Sequence, residues 1–114
     1  MPSIVIKSAV FGEMFGTDEM RDLFSDAALI QRYLDVEAAL ARVQAVLGVI
    51  PAEAAAAITA VACVERVDFE KLSRRTQRVG YPILPLVEQI CEWADKDLGQ
   101  YCHWGATTQD IMDT

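Results

Sequence analysis

The chain has 114 residues, of which 53% are hydrophobic and 24% charged, so it has room for one domain at most and is not a disordered tail. Its formal net charge of −7 argues against a nucleic-acid backbone or an anionic membrane as partner. An anionic ligand would therefore have to be held by local donors and not by a global field.

Residues 1–16 read as an irregular arm, with Gly12 and Gly16 bracketing Glu13-Met14-Phe15. Thr17 is placed to cap a short helix ending near Phe24, with Asp18 and Glu19 in the first turn, where the helix dipole favours negative charge. Ser25 caps the longest element, predicted over 26–47. There Leu29, Tyr33, Val36, Leu40, Val43 and Leu47 step by alternating fours and threes, a stripe expected to form a bundle core. Gly48 is a natural stop. Pro51 opens a third, alanine-rich helix expected from Ala52 to about Cys63. Asp68 caps a fourth that ends at Gly80. Pro82 and Pro85 predict a break, followed by a fifth helix from about Leu86 to Leu98 and closed by Gly99. No repeat is present, and no strand-length alternating run lies outside the first residues, so the class is all-α.

Cys63, Cys91 and Cys102 are widely spaced, and His103 is the only histidine, so a zinc site is not expected. Reduced thiols fit a cytoplasmic protein. Residues 1–7 lack the pattern of a signal peptide, and no window approaches a membrane span.

The chemistry concentrates in Cys102-His103-Trp104-Gly105-Ala106-Thr107-Thr108-Gln109-Asp110. A helix is expected to start at Thr107 or Thr108. Thr107-x-x-Asp110 has capping-box spacing, so one reading is a capping turn beside a packing histidine. The other is an anion site: two hydroxyls and the Gln109 amide exceed what a cap needs, and the free amides and positive end of a helix would hold a carboxylate or phosphate.

His103 to Thr114, reading His-Trp-Gly-Ala-Thr-Thr-Gln-Asp-Ile-Met-Asp-Thr, resembles the first signature region of the fumarase/aspartase (fumarate lyase) superfamily, usually His-x-Gly-x-Thr-Ser-x-Asp. Phe24-Ser25-Asp26, residues 34–41 (LDVEAALA) and Leu47-Gly48-Val49-Ile50-Pro51 are similar to the first long helix of the adenylosuccinate lyases and 3-carboxy-cis,cis-muconate cycloisomerases within it. The resemblance covers nearly the whole chain. It implies that residues 1–114 are the N-terminal helical domain of a longer chain, leading into a central long-helix bundle. It also implies a homotetramer with no cofactor and active sites assembled from three subunits. The implied reaction is a β-elimination or its reverse on a small polycarboxylate, through an aci-carboxylate that preorganised donors stabilise. Carried over by motif, Thr107 and Thr108 bind a substrate carboxylate, Gln109 assists, and His103 contacts substrate or aids proton handling. Thr108 stands where the family usually has serine, which keeps the hydroxyl.

Two departures bear on the substrate. Where adenylosuccinate lyases carry Arg-Tyr-Ser/Thr to grip a nucleotide phosphate, this chain has Met14-Phe15-Gly16. Where they carry Thr-x-His-Asp, it has Val79-Gly80-Tyr81-Pro82. A phosphate would lose a charge-assisted contact, so a nucleotide is disfavoured. The Phe11-Gly12-x-Met14-Phe15-Gly16 arm and the residue 103–110 motif are most similar to the carboxymuconate cycloisomerases, lactone-forming enzymes of aromatic catabolism. The family's second signature histidine and its Gly-Ser-Ser loop are expected beyond Thr114, so residues 1–114 alone are expected to be inactive. Two alternatives remain: adenylosuccinate lyase or another fumarate-releasing lyase, and, from a different class, a non-catalytic helical oligomerisation module that uses the 29–47 stripe.

Overall fold

The helix starts follow local capping chemistry. In the computed structural model, which describes residues 5–114 apart from the side chains of Ile6 and Lys96, α1 (Asp18–Leu23) begins where Thr17 Oγ1 accepts from the Met20 amide at 3.3 Å. α2 (Asp26–Val46) begins where Ser25 Oγ accepts from Ala28 at 3.2 Å. After α3 (Ala52–Val61), α4 (Phe69–Val79) begins where Asp68 Oδ1 accepts from Lys71 at 2.9 Å. α4 ends on Gly80 at φ 92°, a left-handed conformation that favours glycine. α5 (Ile83–Trp93), α6 (Lys96–Gly99) and α7 (Thr108–Met112) complete the order. In the arm, Val5–Lys7 and Gly12–Met14 are single 3₁₀ turns, and residues 1–4 lie outside the described residues. Among the described residues there is no strand, and no helix is long and apolar enough to cross a membrane.

The core lies between α2, α3 and α5. Leu34, Ile58, Ile83, Leu86 and Ile90 are all fully buried there, with Ile111 of α7 packed against the same cluster. Two glutamines tie irregular segments to it. Gln89 Oε1 accepts from the Asp68 amide and its Nε2 donates to the Asp68 carbonyl, fixing the start of α4. Gln31 Oε1 accepts from the Val64 amide and so holds the 3₁₀ turn Val64–Arg66, which the sequence did not reveal.

Three expectations require correction. The stripe on α2 is not the core of this chain: Tyr33 is buried, but Val36 and Leu40 are only half-buried and Leu29, Val43 and Leu47 are exposed. The buried face is rotated from it and carries Ile30, Leu34, Glu37, Ala38 and Ala41. α3 stops at Val61, two residues short of Cys63. α5 starts at Ile83, not Leu86, because Pro85 falls in the first turn, where an amide hydrogen has no helical partner to lose. It stops at Trp93 because Asp95 takes φ 68° and turns the chain into α6. Gly99 therefore does not cap α5. It lets α6 cross α5: a Cβ there would meet the Cys91 Cα at 2.6 Å and its carbonyl oxygen at 2.7 Å, while Cys91 Sγ donates to the Gly99 carbonyl at 3.0 Å.

The radius of gyration is 16.5 Å, against about 13 Å for a compact chain of this length. The chain does not close around α2, and one side of its longest helix keeps an uncovered apolar surface.

Candidate functional site

Residues 100–107 run from α6 to α7, and two side chains of α2 pin them. Glu37 and Gln44 are two helical turns apart, about 10 Å along one face. Glu37 Oε1 meets His103 Nδ1 at 2.6 Å, and Gln44 Nε2 donates to the Trp104 carbonyl at 2.7 Å. Tyr101 and Trp104 pack with ring centroids 5.5 Å apart. His103 takes φ 60° and Gly105 φ 71°, so the loop reverses twice before α7. A non-glycine residue in that region is uncommon and holds only where its surroundings enforce it.

Burial gives the Glu37–His103 contact its weight. The Glu37 side chain is 0% exposed, whereas His103 keeps 19%. Burial pushes the Glu37 carboxyl above its ordinary range, and the neighbouring His103 pulls it partly back. Cys102 Sγ lies 4.0 Å from Glu37 Oε2. Its thiol is pushed well above the ordinary range, first by burial and then by the Glu37 charge, so it stays protonated and is no nucleophile. Burial raises the Cys91 thiol as well.

The threonine segment is more open. Thr107 is the exposed N-cap of α7, and Asp110 Oδ2 accepts from its amide at 2.9 Å, the back-reaching half of a capping box. Thr108 is half-buried at the first helical position, and its hydroxyl makes no hydrogen bond among the described residues. Gln109 is exposed and donates from Nε2 to Asp113 Oδ1 at 2.6 Å. The four sequence-derived site residues thus fall on one short loop and helix start, with His103 turned inward to α2 and the other three toward the surface. A groove of about 460 Å³ runs beside them, lined by Val36, Leu40, Val43, Gln44, Trp104 and Asp110 among others; His103, Thr107, Thr108 and Gln109 do not line it. Among the described residues no cluster of metal-ligating side chains forms.

Glu37 is the residue that sequence reasoning missed. The available signal was a carboxylate at helical spacing within Ile30, Leu34, Ala38 and Ala41, a face on which an unpaired charge is costly.

No protein-family model matches the chain. Trans-aconitate decarboxylase 1 of Mycosarcoma maydis is 43% identical over 114 residues, covering 100% of this chain and 23% of that protein. The 3-carboxy-cis,cis-muconate cycloisomerase of Acinetobacter baylyi is 39% identical over 112 residues, covering 94% of this chain and 25% of that protein. The crystal structure of a fumarate lyase from Mesorhizobium sp. BNC1 superposes with a TM-score of 0.81 at 56% identity, over 87% of this chain and 23% of that one. The chain thus spans about a quarter of the length of the curated relatives it matches.

Proposed function

This chain belongs to the fumarate lyase superfamily, and from that premise we propose that it forms the N-terminal part of a cofactor-independent enzyme that acts on a small unsaturated polycarboxylate. The first choice of reaction is lactonisation of the 3-carboxy-cis,cis-muconate type, in which a substrate carboxylate adds to a conjugated double bond. Thr107, Thr108 and Gln109 hold a substrate carboxylate at the start of α7, where first-turn amides have no helical partners and the dipole favours negative charge. His103 contacts the same substrate, and the proton-transferring groups lie outside residues 1–114.

The observation that carries this reading is the Thr108 hydroxyl at the first position of α7, without a hydrogen bond among the described residues, on a loop that α2 holds at two points. A capping turn would need only Thr107 and Asp110. The exposed side of α2, with Val43 at 57%, Val46 at 87% and Leu47 at 71% exposure, is the surface on which the rest of a longer chain or a neighbouring subunit packs. In that reading the 29–47 stripe is a core position of the assembly, and a homotetramer is the expected form.

The 43% identity to trans-aconitate decarboxylase favours a second reading within the same chemistry, removal of carbon dioxide from a small unsaturated tricarboxylate. Carboxymuconate and trans-aconitate both carry three carboxylates on an unsaturated chain, so one carboxylate wall would serve either. Ultraviolet assays of the longer enzyme on 3-carboxy-cis,cis-muconate, trans-aconitate and adenylosuccinate separate the readings. Turnover of either tricarboxylate without adenylosuccinate supports the proposal, and turnover of adenylosuccinate alone overturns it.

A further inference from the structure

We propose that Glu37 is a positioning residue for His103: enclosure keeps the carboxyl–imidazole pair neutral overall, with one proton between Oε1 and Nδ1 and a second on Nε2, which hydrogen-bonds a substrate carboxylate. The inference rests on the carboxylate-site reading above and gives His103 a defined role in it, that of donor and not base.

Three observations carry it. The Oε1–Nδ1 separation is 2.6 Å, at the short end for a hydrogen bond between such groups. The Glu37 side chain is wholly enclosed, so an ionised carboxylate without a protonated partner would be costly there. The His103 backbone sits at φ 60°, a conformation that persists only where the surroundings enforce it; here it accompanies an imidazole directed at α2.

While the pair is neutral overall, it is either ionised glutamate with doubly protonated imidazole or neutral glutamic acid with neutral imidazole. In both forms Nε2 carries a hydrogen, and only the proton between Oε1 and Nδ1 has moved. Nε2 becomes a bare acceptor only if the pair gives up the Nε2 proton and keeps the one between Oε1 and Nδ1, which leaves a lone negative charge in an enclosed site, where it would repel a substrate carboxylate. Among the described residues Nε2 makes no hydrogen bond, and the ring keeps part of its surface open for a ligand. The thiols of Cys102, 4.0 Å from Glu37, and of Cys91, which also feels the Glu37 charge, are both pushed up by burial and add no charge.

His103 is the only histidine in the chain, so long-range ¹⁵N–¹H correlation spectra of the uniformly labelled 114-residue protein report its two nitrogens without assignment ambiguity. At neutral pH the expected pattern is a protonated Nε2 with a hydrogen-bonded Nδ1. Replacement of Glu37 by leucine, similar in volume and uncharged, should return the ring to the mixed pattern of free imidazole. A bare Nε2 in the parent chain, or a free-imidazole mixture there, overturns the proposal even if the Glu37→Leu protein does not fold. In the longer enzyme, Glu37→Leu should raise KM for 3-carboxy-cis,cis-muconate or trans-aconitate about tenfold while changing kcat less. An unchanged KM beside the expected nitrogen pattern overturns the donor role. The nitrogen pattern is read without substrate, so its failure is distinct from failure of the carboxylate-site reading, which the threonine variants probe.

Discussion

The two faces of α2 are both apolar, and they have opposite roles. One carries Ile30, Leu34, Ala38 and Ala41 into the core against α3 and α5, interrupted by Glu37. The other carries Leu29, Val36, Leu40, Val43 and Leu47 and is half-buried or open. The difference teaches that an apolar stripe states that a surface wants covering, not which part of a protein covers it. The polar residues discriminate better. Glu37 and Gln44 sit on the side that receives the 100–107 loop, because a polar side chain near a core must find partners, and the loop supplies an imidazole and a carbonyl.

Substitutions separate the two faces. Leu34→Ala, at a fully enclosed position, should lower the unfolding free energy of the chain by about 3 kcal/mol in urea titrations, whereas Leu47→Ala should change it by less than about 0.5 kcal/mol. Equal losses would mean that both faces are core in this chain. In the longer enzyme the second face should matter: Val43→Asp should abolish its assembly, as read by sedimentation, while leaving the isolated chain's stability within about 0.5 kcal/mol. Retained assembly would remove the packing role assigned to that face.

The next effect is smaller and belongs to the core side alone. Burial raises the Cys102 and Cys91 thiols above the ordinary thiol value of about 8.5. A group raised in the folded state contributes stability that is complete below its unfolded value and is lost as pH climbs through the folded one. Stability should therefore fall above about pH 8.5, by up to about 1.4 kcal/mol per pH unit for each thiol that ionises on unfolding. Cys102→Ala should make that slope shallower, and an unchanged slope would show that Cys102 does not remain protonated in the fold.

Much of the fold was legible in the sequence because helix ends are local. Thr17, Ser25, Asp68 and Gly80 all stand where caps and stops were expected. The misreadings share a cause as well. Which face of α2 is buried depends on α3 and α5, and the boundaries of α5 depend on a proline tolerated in a first turn and on Asp95 adopting a left-handed conformation. At the candidate site, the 103–110 motif could be read directly, but Glu37 lies 66 residues from His103 and its pairing exists only in the fold. No periodicity or spacing rule links them.

The start of α7 is proposed to bind a substrate carboxylate and to be more than a cap. Thr108→Ala tests it most directly, because alanine at a first helical position should not weaken the helix and Thr108 makes no hydrogen bond among the described residues that would be lost. In the longer enzyme, assayed with 3-carboxy-cis,cis-muconate and trans-aconitate, kcat/KM should fall about 100-fold for the true substrate while the thermal midpoint stays unchanged. Unaltered kcat/KM for a substrate that the parent enzyme turns over would contradict it.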